Sequence, residues 1–163
     1  MASVAEQTEV RSAAGSPTLR VVSRRFGTLD VPVASVLHFA QGLVGFPRYR
    51  RYVVLDHRPG SPFKWMLSID DPDLAFAVAN PCELVADYDP PLPLATRLLG
   101  TAAEDLALFV LVTIPPDPTR MTVNLMAPVV VDLRTRQARQ IVLDDPRCPP
   151  DHRVVREPAA AQP

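Results

Sequence analysis

A chain of 163 residues, 47% of them hydrophobic, can form one compact domain with a sizeable core and some tail. Its longest apolar run, residues 106–114, falls far short of the roughly 18 residues of a membrane span, and the N-terminus lacks a basic segment followed by a hydrophobic one, so a cytoplasmic location is expected. The formal net charge of −1 says less than its distribution, which is uneven.

In chain order, residues 1–17 are small and polar without periodicity and read as a disordered N-terminal tail, unable to bury enough surface to offset ordering entropy. Beyond them, short β-branched and aromatic runs recur at intervals of about ten residues with Pro, Gly or Asp between them, the spacing of an all-β sandwich or barrel. The predicted strands are Leu19–Ser23, Gly27–Val31, Tyr52–Asp56, Phe63–Ile69, Leu74–Ala79, Leu106–Ile114, Thr122–Val131 and Gln140–Leu143. Between the second and third lies Leu37-His38-Phe39-Ala40-Gln41-Gly42-Leu43-Val44-Gly45-Phe46-Pro47, an apolar run punctuated by two glycines and a proline, which predicts a buried bend.

The 19 prolines argue against long helices. One short helix is predicted at Leu94–Leu99, after Pro90, Pro91 and Pro93 and before Gly100, plugging an end of the sheet structure. Leu106–Ile114 is apolar almost throughout and reads as a central strand covered on both faces. Pro115-Pro116-Asp117-Pro118-Thr119 joins it to Thr122–Val131 as a wide hairpin loop, and a second hairpin turns through Arg134 to Gln137. Residues 149–163 are rich in Pro and Ala and read as a disordered C-terminal tail, with Pro149 and Pro150 blocking regular pairing. The expected fold is all-β, a barrel or sandwich with one or two short helices, in a single domain over residues 18–148.

Between Met66 and Thr119 stand nine acidic residues, Asp70, Asp71, Asp73, Glu83, Asp87, Asp89, Glu104, Asp105 and Asp117, against Arg97 as the only base. An acidic middle disfavours direct nucleic-acid binding, because phosphate neutralisation supplies most non-specific affinity. It suits a basic protein partner or merely keeps the domain in solution.

No residue pattern carries catalysis. Asp70, Asp71 and Asp73 are interrupted by Pro72, and no bidentate Glu closes the loop as calcium requires, so they read as a turn between two strands. His38, His57 and His152 have no zinc-binding spacing, no serine sits in a nucleophile elbow, and the glycines fit no phosphate loop. His38 is then a core or edge residue. Cys82 and Cys148 form no Cys-x-x-Cys pair and read as free thiols. Alternation places Phe63, Trp65 and Leu67 on one face, where Trp65 serves packing or anchors an interface. Asn124, polar in an apolar block, either bonds a strand end before Pro128 or contacts a partner.

Four segments together carry a resemblance: Phe26-Gly27-Thr28-Leu29-Asp30-Val31; Leu37 to Phe46; Pro62-Phe63-Lys64-Trp65-Met66-Leu67-Ser68-Ile69-Asp70-Asp71-Pro72-Asp73-Leu74-Ala75-Phe76; and Val123-Asn124-Leu125-Met126-Ala127-Pro128. In order and spacing they are similar to the FliW flagellar assembly factors, over about residues 24–145, with Asn80-Pro81, Tyr88 and Gln140 agreeing between the blocks.

The resemblance implies a small β-rich, non-enzymatic protein without cofactor or metal that serves flagellum assembly. Members of the family bind flagellin near its C-terminal end and, in competition with it, CsrA, the RNA-binding repressor of flagellin translation. Capture of CsrA relieves that repression. The expected partner-binding residues are Asp70, Asp71, Asp73, Asn124 and Phe46. Two alternatives stand beside this reading. One is a flagellin chaperone with no translational role; the other is a β-barrel that binds a small molecule or acts as a hydrolase, which would need polar groups converging inside it.

Overall fold

The computed structural model describes residues 15–154. Residues 1–14 and 155–163, which hold most of the two predicted tails, lie outside the described residues. The strands are β1 (Thr18–Ser23), β2 (Gly27–Pro32), β3 (Leu37–Phe39), β4 (Arg51–Asp56), β5 (Phe63–Ser68), β6 (Ala75–Ala79), β7 (Leu106–Thr113), β8 (Thr122–Val123), β9 (Val129–Asp132), β10 (Gln137–Gln140) and β11 (His152–Arg153). Helices α1 (Pro81–Leu84) and α2 (Leu92–Leu99) connect β6 to β7.

Seven strands close a barrel in the order β7-β6-β5-β4-β3-β10-β9, with β9 pairing back onto β7. Every contact around it is antiparallel except β3 with β10, which run parallel. Closure removes the free edges that an open sheet of this length would present. Of the two all-β architectures expected from the sequence, the barrel is the one formed.

Alternation along each strand separates an inner core from an outer one. Tyr52, Val54, Met66, Val78, Ala107, Phe109, Val129 and Val131 point inward with Leu37 and Phe39 and fill the barrel. Each fully buried side chain of this kind stabilises the fold by about 1.5–3 kcal/mol relative to exposure. The intervening residues are also apolar, so the outer face needs covers, and three are supplied. The β1–β2 hairpin lays Val21 and Val31 over Val53 and Leu67. Helix α2 sets Ala95 against Leu108, Val130 and Ile141. The third cover gathers Val123, Leu125, Cys148 and Val154 around Val110, with Leu84, Val85 and Tyr88 from α1 and the residues after it. β7 is thus covered on both faces, as its unbroken apolar run predicts.

Several local expectations are corrected. Helix α2 begins two residues early and lies on the outer wall rather than plugging an end, because the outward-facing Leu108 and Val130 require cover. Gly100 caps it in the left-handed conformation at φ 66°, its N–H donating to the Thr96 carbonyl. The single predicted strand Thr122–Val131 divides into β8 and β9 because Asn124 Oδ1 accepts the amides of Met126 and Ala127, both at 3.1 Å, and turns the chain between them. The predicted strand Gln140–Leu143 is displaced: β10 runs Gln137–Gln140 and residues 141–143 are in no strand, since Asp132 Oδ1 takes the Arg134 amide and Arg136 adopts φ 62°, which tightens the hairpin and starts the return strand early.

The C-terminal tail was expected from residue 149, yet residues 149–154 join the fold. Proline lacks an N–H but keeps its carbonyl, and Pro149 accepts the Leu125 amide at 3.0 Å. β11 then pairs with β8, and Val154 is buried. The predicted buried bend is only partly inside. Gly42 and Leu43 are buried, whereas Val44 at its tip is 66% exposed, and His38 faces outward between buried Leu37 and Phe39. No helix among the described residues is long and apolar enough to cross a membrane.

Candidate protein-interaction surface

After β3 the chain must reverse within a few residues, and Gly42 makes this possible. It adopts φ 66°, and a Cβ there would lie 2.5 Å from the Phe46 carbonyl oxygen, closer than any side chain tolerates. The reversal lets Leu43 bridge to Phe46, whose half-buried ring meets Phe76 edge-on at 5.1 Å and lies 6.5 Å from Tyr49. Gln140, at the end of β10, fastens the bend from outside. Its Oε1 accepts the Val44 amide at 2.8 Å and its Nε2 donates to the Ala127 carbonyl at 3.1 Å. Because Ala127 also donates to Asn124, the bend and the Asn124 turn belong to one hydrogen-bonded assembly.

Beside this assembly lies a groove of about 250 Å³, between the bend, β10 and the C-terminal end of α2. Gln41, Gly42, Leu98, Leu99, Gln137 and Arg139 contribute to its walls.

The acidic turn after β5 is largely committed to the fold. Asp70 Oδ2 accepts the amides of Arg50 and Arg51 at 2.7 and 3.0 Å, and its Oδ1 takes Arg51 Nε at 2.8 Å. Burial alone would raise this carboxyl, but the Arg50 amide and the Arg51 guanidinium and amide outweigh it and hold it below the usual carboxylate range. Asp73 reaches across to the β1–β2 turn, where its Oδ1 accepts the Arg24 amide at 3.0 Å. Asp71 Oδ1 accepts the Asp73 amide at 3.2 Å, closing the turn that its spacing predicts. The turn meets the far end of the bend through Arg50 and Arg51, so Asp70, Asp71, Asp73 and Phe46 occupy adjoining segments. Asn124 joins them only by way of Ala127, Gln140 and Val44.

Asn124 therefore takes the strand-end role, one of its two expected ones. Trp65 packs under the hairpin, its ring 5.8 Å from Phe26, with the Arg25 guanidinium 4.1 Å above it and Nε1 donating to His57 Nδ1 at 3.2 Å. Both cysteines are free; burial raises the thiol pKa of Cys82, aided by Glu83, and that of Cys148, aided by Asp145, which disfavours the thiolate. Among the described residues no three His, Cys, Asp or Glu are grouped so as to hold a metal ion. Gln140, Arg139 and Leu98 were not singled out as site residues from the sequence. The available signal was that three of the four residues of β10, Gln137, Arg139 and Gln140, are polar, with Ala138 alone apolar among them.

A family model described as FliW protein matches residues 20–154. Among curated proteins, the flagellar assembly factor FliW of Caldicellulosiruptor saccharolyticus is 39% identical over 131 residues, covering 79% of this chain and 86% of that protein. The flagellar assembly factor FliW of Bdellovibrio bacteriovorus is 39% identical over 140 residues, covering 85% of this chain and 77% of its own. A crystal structure of the flagellar assembly factor FliW superposes with a TM-score of 0.76 at 25% identity, over 86% of this chain and 99% of that one.

Proposed function

The chain belongs to the FliW family of flagellar assembly factors, and on that premise we propose that it is a non-enzymatic partner switch that binds flagellin and, in competition with it, the translational repressor CsrA. With flagellin exported, the freed protein captures CsrA and relieves repression of flagellin translation; with flagellin abundant, it is occupied and CsrA represses. The switch needs only mass action over one shared protein. It works in the cytoplasm, where flagellin is made.

The observation that carries this reading is how the barrel is filled. Tyr52, Phe39, Phe109 and Met66 occupy its interior with at most 2% exposure, so what the molecule offers a ligand is its outer surface. A small-molecule barrel or a hydrolase would need polar groups converging inside. On the outer surface, the acidic turn at Asp70, Asp71 and Asp73 is the proposed meeting place for CsrA, through complementary fields that speed encounter. Phe46 belongs to the bend proposed for flagellin, and Asn124 is tied to that bend through Ala127 and Gln140.

Calorimetric titration of the purified protein with its host's flagellin, and separately with its host's CsrA, tests the proposal. Binding to both is expected. Flagellin alone would reduce the protein to a chaperone, and CsrA binding that is unchanged at low salt after charge reversal of Asp71 and Asp73 would remove the acidic turn from the account.

A further inference from the structure

Of the six large hydrophobic side chains exposed among the described residues, three sit on the segments framing the groove beside Gln140: Val44 on the bend, Leu98 on α2 and Val142 just beyond β10. Leu98 is 37% exposed and lines the groove directly, next to Leu99. Scattered single hydrophobics are ordinary, but here Leu98 and Leu99 line the groove wall itself, and Val44 and Val142 lie on the segments next to it.

The groove also holds a charge without a counter-charge. Arg139 faces away from the barrel interior, opposite Val130, and is half-buried in the groove wall. Among the described residues it has no ion pair and no side-chain hydrogen bond, and no Asp or Glu lines the groove. Arg51 and Arg134, by contrast, have carboxylates beside them, Asp70 and Asp105 respectively. A guanidinium taken partly out of water without an anion loses hydration that only an anionic ligand restores well. Gln41 and Gln137 add amide side chains on either side of it.

The geometry points to this groove as the docking site for a partner segment that sets aliphatic side chains around one Asp or Glu side chain, the carboxylate meeting Arg139 and the aliphatic groups meeting Leu98 and Leu99. This rests on the partner-switch reading and deepens it. A positively charged protein such as CsrA is a poor occupant of a groove whose only charge is an arginine, so the occupant is the flagellin side of the switch, and the acidic turn lies on other segments. The two partners therefore become separable by single substitutions.

The full chain, Arg139→Glu, Arg139→Gln and Leu98→Asp, each checked for an unaltered melting transition, are titrated with a helix-forming peptide carrying leucines around one glutamate and with its glutamine twin. The wild type is expected to prefer the glutamate peptide by about tenfold, both Arg139 variants to lose that preference, and Leu98→Asp to weaken both peptides. No binding, equal affinity for the twins, or a preference that survives at Arg139→Gln overturns the proposal. Host flagellin and CsrA are titrated in parallel. Flagellin weakened by Arg139→Glu with CsrA unaffected supports it, and flagellin bound equally by wild type and Arg139→Glu overturns the groove while leaving the partner switch standing. Discrimination between the peptides with no flagellin binding would instead uphold the groove and overturn the switch.

Discussion

Gln140 holds Val44 across 96 positions of sequence, its Oε1 accepting the Val44 amide at 2.8 Å. The bond fixes the tip of a bend whose side chain is exposed, and the other end of the same amide ties that tip to the loop before β9. A surface hydrophobe is thereby presented in one position rather than many, which lowers the entropy a partner must remove on binding.

Substituting Gln140→Leu leaves the Val44 amide to solvent and the Ala127 carbonyl without its side-chain donor. The loss expected is about 1 kcal/mol of stability, with a larger local effect. Hydrogen exchange read at Val44 should accelerate well beyond that at core amides of β4 and β5; equal slowing or quickening at both would show that the bend is held by something else.

Gly42 and Gly45 both have positive φ, yet they should respond differently to alanine. At Gly42 a Cβ meets the Phe46 carbonyl at 2.5 Å, whereas at Gly45 it meets open space. Gly42→Ala is expected to cost about 3 kcal/mol or more and Gly45→Ala about 1 kcal/mol, measured by urea denaturation. Comparable losses at the two sites would contradict the close approach.

Much of this was legible in the chain and some was not. Six of the predicted strands match β1, β2, β4, β5, β6 and β7 to within two residues, because their β-branched runs end at Gly, Pro or Asp. β3 was hidden because its three residues sit inside a Gly-punctuated segment, and β11 because its two residues follow Pro149 and Pro150; both strands are defined by partners far away in sequence. Asn124 could be read as a strand-end residue, but the joining of its turn to the bend through Gln140 could not, since nothing local in a glutamine announces two backbone partners. The acidic turn was visible as a charge cluster. Its commitment to Arg24, Arg50 and Arg51 depends on β4 pairing with β5 in the barrel and on the β1–β2 hairpin lying over both.

Asp70 and Asp132 make stability depend on acidity. Burial would raise the Asp132 carboxyl, but the Arg134 amide and the Thr135 hydroxyl and amide, with Thr101, hold it low, as the Arg50 and Arg51 groups do for Asp70. Both folded-state values lie below the unfolded one, so their contribution is complete above the ordinary carboxyl value near ~4 and is lost as pH falls through the lowered folded values. The melting temperature should hold steady between about pH 7 and 5 and fall below about 4, less steeply in Asp132→Asn than in the wild type. An acid limb identical in the two would show that Asp132 is not involved.

Tyr52 places its hydroxyl in the barrel core without a hydrogen-bond partner among the described residues, and burial, with Asp70 and Tyr49 nearby, pushes its pKa up to about 12. Removing that oxygen removes a desolvation cost. Tyr52→Phe is expected to leave stability unchanged or raise it by up to about 1 kcal/mol, whereas a loss of about 2 kcal/mol in thermal unfolding would reveal a bond to the hydroxyl.

Exclusion between the two partners is read by competition calorimetry: the protein saturated with its host's flagellin is titrated with its host's CsrA, and the reverse. Each partner is expected to lower the apparent affinity of the other in proportion to its own free concentration. A ternary complex, with CsrA binding the flagellin-saturated protein as tightly as the free one, would contradict exclusion.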